Sequence, residues 1–254
     1  MASASSPPSK KQEKQDLGWM EWLKGWYDLI FEACFQKLMS RHLHNPLPLP
    51  SLNGKTCIVT GSTSGIGLEI ARQLAESGAH VVMAVRNPVA ANELIQKWQN
   101  RRTDSDPLNI DVMELDLLSL ESVARFSESW NSRGKPLNVL INNAGIFSIG
   151  EPHKFSRDGY ERHMQVAYQF IPFFLFTALE GSRSALFAAT DPEILKYSEK
   201  LKSEEWPVCA YISYNCRPMN PSKEAHNVNT SHIVWEKTLE MVGLPSNIVE
   251  TSMQ

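Results

Sequence analysis

Residues 55–67, Lys-Thr-Cys-Ile-Val-Thr-Gly-Ser-Thr-Ser-Gly-Ile-Gly (KTCIVTGSTSGIG), decide how this chain folds. Lys55–Thr60 is a short apolar run rich in β-branched residues, the pattern of a strand buried in a parallel sheet. A glycine-rich turn, Gly61 to Gly67, follows at once. The next stretch, IGLEIARQLAESG, puts Ile66, Ile70, Leu74 and Ala75 on one helix face, with Gly78 as the expected stop. His80–Val85 (HVVMAV) is a second apolar run. The whole is one βαβ unit of about 30 residues with its glycines in the first turn. Such a turn suits a pyrophosphate, because free backbone N–H groups and the positive end of the helix dipole face the anion. On this reading Gly61, Gly65 and Gly67 keep side chains out of the approach, and Ser62, Thr63 and Ser64 add hydroxyl donors.

The end of the second strand selects the nucleotide. An NAD site usually carries Asp or Glu there for the ribose 2′-hydroxyl. Here the residues are Val85-Arg86-Asn87. With no carboxylate to repel a 2′-phosphate, Arg86 can hold it, which favours NADP(H) over NAD(H). The plainer alternative is an ordinary exposed loop arginine. Further on, Leu108–Leu115 predicts a third strand ending in Asp116-Leu117. A helix is expected over roughly 119–131. Leu137–Ile141 (LNVLI) predicts a fourth strand that runs into Asn142-Asn143-Ala144-Gly145. Strands alternating with helices predict an α/β fold: a Rossmann-type, doubly wound parallel sheet.

The rest of the chain frames that unit. It has 254 residues, 25 basic and 28 acidic, a net charge of −3, which gives no basic face for nucleic acid. The four cysteines, Cys34, Cys57, Cys209 and Cys216, include no CxxC pair, so neither a disulfide scaffold nor a zinc site is expected. Reduced thiols in the cytoplasm are the simplest reading. Residues 1–16 are small and polar, the composition of a disordered tail. Residues 17–44 hold an amphipathic helix. Glu21, Lys24, Gly25, Asp28, Glu32 and Gln36 share one face. Trp19, Trp22, Leu23, Trp26, Leu29, Ile30, Ala33 and Cys34 share the other, while Leu17, Phe35 and Lys37 break the pattern. Its charges oppose a transmembrane span. Its tryptophans suit peripheral contact with a membrane surface through residues 17–39, and packing on the domain is the alternative. Residues 45–53 (NPLPLPSLN) form a stiff linker. Residues 54–254 are left for the nucleotide-binding domain, 54–166 as its nucleotide-binding half and 167–254 as its C-terminal part.

TGSTSGIG at 60–67, Asp116-Leu117 after the third strand and NNAG at 142–145, in this order and spacing, resemble the short-chain dehydrogenase/reductase family. The resemblance implies a nicotinamide-dependent oxidoreductase of carbonyls and alcohols. It implies that Thr60, Gly61, Ser62, Thr63, Ser64, Gly65, Ile66 and Gly67 form the pyrophosphate turn. Asp116 and Leu117 would then lie at the adenine ring. Asn142, Asn143, Ala144 and Gly145 would steady the central strand and border the nicotinamide ribose. The family's chemistry also needs a tyrosine with a lysine four residues later, a serine at the substrate oxygen and a relay asparagine. After NNAG the tyrosines are Tyr160, Tyr168, Tyr197, Tyr211 and Tyr214, and none has that lysine. Tyr197 has only Lys200 and Lys202 nearby. The relay asparagine is Ala167 in Met164-Gln165-Val166-Ala167. No catalytic residue and no metal ligand is therefore assigned.

The resemblance resumes after Val166, with Tyr168–Phe176 and the Glu180-Gly181 helix matching the family's last third. Val208–Ser213 (VCAYIS) resembles its final strand, and Ala225–Leu244 its C-terminal helix. A central block, with two strands, the serine and the tyrosine–lysine pair, is expected to be missing at Val166/Ala167. The parallel sheet would then be incomplete, with the fourth strand's edge exposed unless VCAYIS moves in to cover it. The expectation is an NADP(H)-binding protein without turnover. The alternative is an active NADP-dependent oxidoreductase that takes a small lipophilic carbonyl or alcohol through an unrecognised acid–base group.

Overall fold

The structure is a computed structural model. It describes residues 46–102, 106–145, 177–202, 211–213, 216–219 and 227–242, with Lys154 and separate residues between Met20 and His44. The first half runs β1 (Thr56–Thr60), α1 (Gly65–Glu76), β2 (His80–Val85), α2 (Pro88–Arg101), β3 (Ile110–Glu114), α3 (Leu120–Asn131) and β4 (Val139–Ile141). The four strands form one parallel sheet in the order β3-β2-β1-β4. Each strand lies within the apolar run that predicted it. The C-terminal part holds α4 (Ala178–Thr190), α5 (Pro192–Lys202), β5 (Tyr211–Ile212), β6 (Pro218–Met219) and α6 (Val228–Val242).

The sheet is covered on both faces because its side chains alternate. Cys57, Val59, Val81, Met83 and Val85 point to one cluster, with Ile70 and Leu74 of α1, Ala91 and Trp98 of α2 and Leu186 of α4. Ile58, Val82 and Ala84 point to the other, with Met113, Leu115 and Trp130 of α3. Full burial of such side chains contributes roughly 1.5–3 kcal/mol each. Local chemistry starts the helices. Asn87 accepts from Ala90 N–H ahead of Pro88, and Ser119 accepts from Ser122 N–H. Thr177 and Glu180 form a capping box at α4.

Helix α4 lies against α1. Gln73 Nε2 donates to Ser182 Oγ at 3.1 Å in the buried seam, Gly181 faces Ile66, and Leu186 is fully buried. The predicted helix at the Glu180-Gly181 pair is thus present and reaches the core. Strand β4 shows what the sheet lacks. Val139 and Ile141 are half-buried on the α1–α4 side, but Leu140, in register with fully buried Ile58, is exposed. Among the described residues β4 pairs with β1 alone, and no helix covers Leu140.

Tyr211–Ile212 of the VCAYIS run does not cover β4. It pairs antiparallel with Pro218–Met219 in a separate two-stranded sheet. The turn between them, with Cys216 at φ +58, returns the chain on itself. The Pro-spaced segment runs along the domain: Leu47 and Leu49 pack on the core while Pro46, Pro48 and Pro50 face water. An extended chain alternates sides, and here leucine takes the inner one. Phe35, which departs from the sequence's two-face pattern, lines up with two other aromatic rings. Tyr27, Phe31 and Phe35 stack at centroid separations of 6.2 and 6.4 Å, four residues apart along the helix. With Met20, Leu23, Ile30 and Leu38 they form an exposed apolar stripe. No described helix is long and apolar enough to cross a membrane. The tail, Trp19, Trp22, Trp26, Tyr168–Phe176, the Val166/Ala167 junction and Val208–Ala210 lie outside the described residues.

At the N-terminal end of the sheet, Asp111 of β3 ties β2 to the end of α3. Its Oδ2 lies 3.1 Å from His80 Nε2 and accepts from Arg133 Nη1 at 2.8 Å. Burial opposes the carboxylate, but the His80 hydrogen bond and the charges of His80 and Arg133 outweigh it. They hold the Asp111 carboxyl below its ordinary range. A depressed folded value stabilises the protein above the unfolded pKa of about 3.9 and is lost as pH falls through the folded value. Asp111→Asn should therefore lower the melting temperature at pH 5, with the gap closing by pH 2. The carboxylate is part-exposed, so screening keeps the effect within about 1 kcal/mol. A gap that persists at pH 2 would rule out the charge as its cause.

Candidate nucleotide-binding site

The chain order β1-β2-β3 builds outward on one side of β1, and β4 is added on the other. The sheet therefore reverses direction between β1 and β4, and ligands of open α/β sheets bind outside the strand ends at such a point. The residues singled out in the sequence lie along this edge. The glycine turn follows β1, Arg86 follows β2, Asp116 and Leu117 follow β3, and Asn142–Gly145 follow β4.

Thr60 clips the turn to β4. Its buried hydroxyl accepts from Asn143 N–H at 3.0 Å and Ala144 N–H at 2.9 Å, and donates to Ile141 O at 3.4 Å. The Asn143 side-chain amide donates to Thr60 O at 3.0 Å and Gly61 O at 3.2 Å. This seat explains two of the three glycines differently from the sequence reading. A Cβ on Gly61, at φ +63, would stand 2.7 Å from Ala144 Cα. One on Gly67 would overlap Asn143 Nδ2 and lie 2.7 Å from Gly61 O. Both positions make room for the NNAG segment. Only Gly65, at φ +57 with nothing within 4 Å, borders open space at the start of α1.

That helix start is suited to an anion. Ser64 occupies the N-cap position without a side-chain hydrogen bond to the first turn, and the first turn has no acidic residue. The amides there keep their donor capacity and the dipole its positive end. Beside them Ser62 is fully buried, and its Oγ finds no partner in the chain. A buried hydroxyl without a partner costs about 1–3 kcal/mol, and a ligand oxygen or water would remove that cost. Thr63 is half-buried, as are Ile66 and Ala144, while Gly145 is exposed.

Arg86 is exposed and makes no hydrogen bond or ion pair among the described residues. Its neighbour Asn87 is occupied in capping α2. Asp116 spends one carboxylate oxygen on Leu118 N–H at 3.0 Å, and its own N–H donates to Ser122 Oγ at 2.9 Å. Leu117 packs beside the α3 cluster. The sequence reading missed the Thr60 hydroxyl as a clip, because its partners lie more than 80 positions away. Tyr197 is half-buried on α5, and the side chains of Lys200 and Lys202 lie outside the described part. Among the described residues no cluster of three metal-ligating side chains occurs.

Fold and switch-point geometry together define a Rossmann-type α/β protein. A family profile described as short chain dehydrogenase matches residues 55–179. The chain is 43% identical to the Arabidopsis thaliana "Dehydrogenase/reductase SDR family member FEY", over 98% of this chain and 94% of that protein. It belongs to the short-chain dehydrogenase family, whose members work with nicotinamide dinucleotides. That alignment spans 355 positions against 254 residues here, so about a hundred of its positions hold no residue of this chain. The chain is also 44% identical over 128 residues to "Short-chain dehydrogenase TIC 32 B, chloroplastic" of Brassica napus. There the match covers 49% of this chain and 37% of the relative. A crystal structure of an uncharacterized protein from Mycobacterium paratuberculosis has the same fold. It is 19% identical at TM-score 0.51, over 77% of this chain and 96% of that one.

Proposed function

We propose that this chain is an NADP(H)-binding member of the short-chain dehydrogenase family that does not turn over substrate. The observation that carries the reading is the unpartnered, fully buried Ser62 hydroxyl beside the uncapped start of α1. A pyrophosphate oxygen would satisfy both at once. Arg86, exposed and unpaired after β2, would hold the 2′-phosphate. When bound, the dinucleotide supplies hydride chemistry. The chain's own residues bind and orient it. They supply no proton, because no tyrosine in this sequence has a lysine four residues on. The 355-position alignment and bare Leu140 support a missing central block that would have held that pair.

The chain divides, on this reading, into a tail (1–16), a helix (17–44), a linker (45–53) and the nucleotide-binding domain (54–254). The exposed stripe from Met20 to Leu38 supports peripheral contact with a membrane from the cytoplasmic side.

Thermal unfolding of the full chain tests the reading. A ligand at about 100 times its dissociation constant stabilises the native state by about 2.7 kcal/mol. NADPH should raise the melting temperature more than NADH does, and Arg86→Ala should erase the difference. A charge-assisted contact is worth about 1.5–3 kcal/mol, roughly tenfold or more in affinity. Equal shifts from the two nucleotides would remove the 2′-phosphate preference. Oxidation of NADPH with a lipophilic carbonyl, lost in Tyr197→Phe, would overturn the absence of turnover.

A further inference from the structure

We infer that the N-terminal stripe docks on an electrically neutral lipid surface, held by apolar insertion and without selection for anionic headgroups. The inference rests on the membrane contact proposed above and names the lipid chemistry that it takes.

The stripe from Met20 to Leu38 turns seven large apolar side chains toward water, each at least 45% exposed. Tyr27, Phe31 and Phe35 form its centre line, stacked four residues apart. Three of the chain's seven tryptophans, Trp19, Trp22 and Trp26, fall in the same segment of sequence. Trp and Tyr are the residues that collect at membrane–water interfaces. Size argues against a second copy as the occupant. Met20 to Leu38 is 19 residues. As a helix it is about 28 Å long and about 10 Å wide, a footprint on the order of 300 Å². Stable protein–protein interfaces bury about 800 Å² on each partner. A bilayer sets no such threshold, because its attraction grows with every apolar side chain inserted.

Charge selects the lipid. Residues 1–39 hold five lysines and five acidic residues, a net charge of zero. Recognition of anionic lipid takes a cluster of about four to eight Lys or Arg. On the polar face of the helix Glu21, Asp28 and Glu32 outnumber Lys24, so an anionic surface finds no attraction there. Anionic headgroups therefore add nothing to the apolar contact, and salt has no attraction to screen.

Co-sedimentation of the full chain with vesicles tests the inference. Vesicles of phosphatidylcholine alone should carry the chain down. Vesicles with about 30% phosphatidylserine should do so with a partition coefficient within about threefold of that value. Raising the salt from about 0.05 to about 0.5 M should change neither by more than about twofold. The double variant Phe31→Glu, Phe35→Glu should bind more than about tenfold more weakly. Both side chains are exposed, so its melting temperature should match the parent's and show that the domain is folded. Binding that needs phosphatidylserine, or that falls with salt, overturns the inference and leaves membrane contact standing. Three results overturn both: no binding to either vesicle, undiminished binding of the double variant, or a dimer of the parent in sedimentation that the double variant dissolves.

Discussion

The Gly67→Ala variant is expected to melt well below the parent, although alanine is the better helix former. Position 67 lies in the first turn of α1, and its backbone is not left-handed. On propensity alone the change should stabilise by up to about 1 kcal/mol. Space decides otherwise. The new Cβ would overlap Asn143 Nδ2 and stand 2.7 Å from the backbone oxygen of Gly61. The carbonyl cannot yield without moving the turn, so the Asn143 amide must leave its seat. It then loses its bonds to Thr60 O and Gly61 O. Overpacking costs about 1–3 kcal/mol and each lost bond about 1 kcal/mol. A net loss of about 3 kcal/mol, roughly 6–12 °C in melting temperature, is expected. Gly65→Ala is the contrasting case. It meets no atom and should lose only the roughly 1–2 kcal/mol of a left-handed alanine. Adding Asn143→Ala to Gly67→Ala should recover part of the loss, since the two side chains compete for one volume. A melting temperature that rises in the single variant would show that the seat does not exist.

That pair also shows where reading a sequence stops. The βαβ unit was legible because strand, turn and helix each declare themselves within a dozen residues. The apolar run of β1 is a local pattern, and Cys57, Ile58 and Val59 are all buried as a parallel strand requires. The position of Arg86 just past β2 was legible for the same reason: the strand end is fixed by the apolar run before it. The partners of Gly61 and Gly67 were not, because NNAG lies some 80 positions further along and only strand order brings it beside the turn. A glycine reads the same whether it makes room for a ligand or for a neighbouring strand. The VCAYIS run stays off the β4 edge for a related reason. Two residues of β-branched and aromatic character pair with whatever edge is nearest, and the turn at Cys216 brings the chain's own return within reach. On the N-terminal helix, Phe35 was set aside by a wheel drawn from the tryptophans. The i, i+4 line through Tyr27 and Phe31 makes it part of a wider apolar surface.

Leu186→Ala should cost about 2–5 kcal/mol, the largest loss expected from any single truncation in the C-terminal part. The side chain is fully buried in α4 and joins the cluster of Val59, Ile70 and Leu74. It lies beyond the Val166/Ala167 junction, so it tests whether the residues after that point are part of one cooperative structure with the first βαβ unit. If α4 only trailed from a self-sufficient first half, the truncation would stay within about 0.5 kcal/mol, as surface changes do. Ile233→Ala on α6, where the side chain is exposed, supplies that baseline in the same chain. The seam beside Leu186 argues for the larger figure. Gln73 Nε2 donates to Ser182 Oγ inside it, a buried bond between α1 and α4 that parting the helices would break. The ligand response separates stability from binding. The start of α1 is positioned by the clip from Thr60 to Asn143, whose hydrogen bonds do not involve Leu186. NADPH should therefore raise the melting temperature of Leu186→Ala by as many degrees as it does the parent, from a lower base. Loss of that response along with stability would mean that α4, through its packing on α1, also sets the geometry of the anion-binding turn.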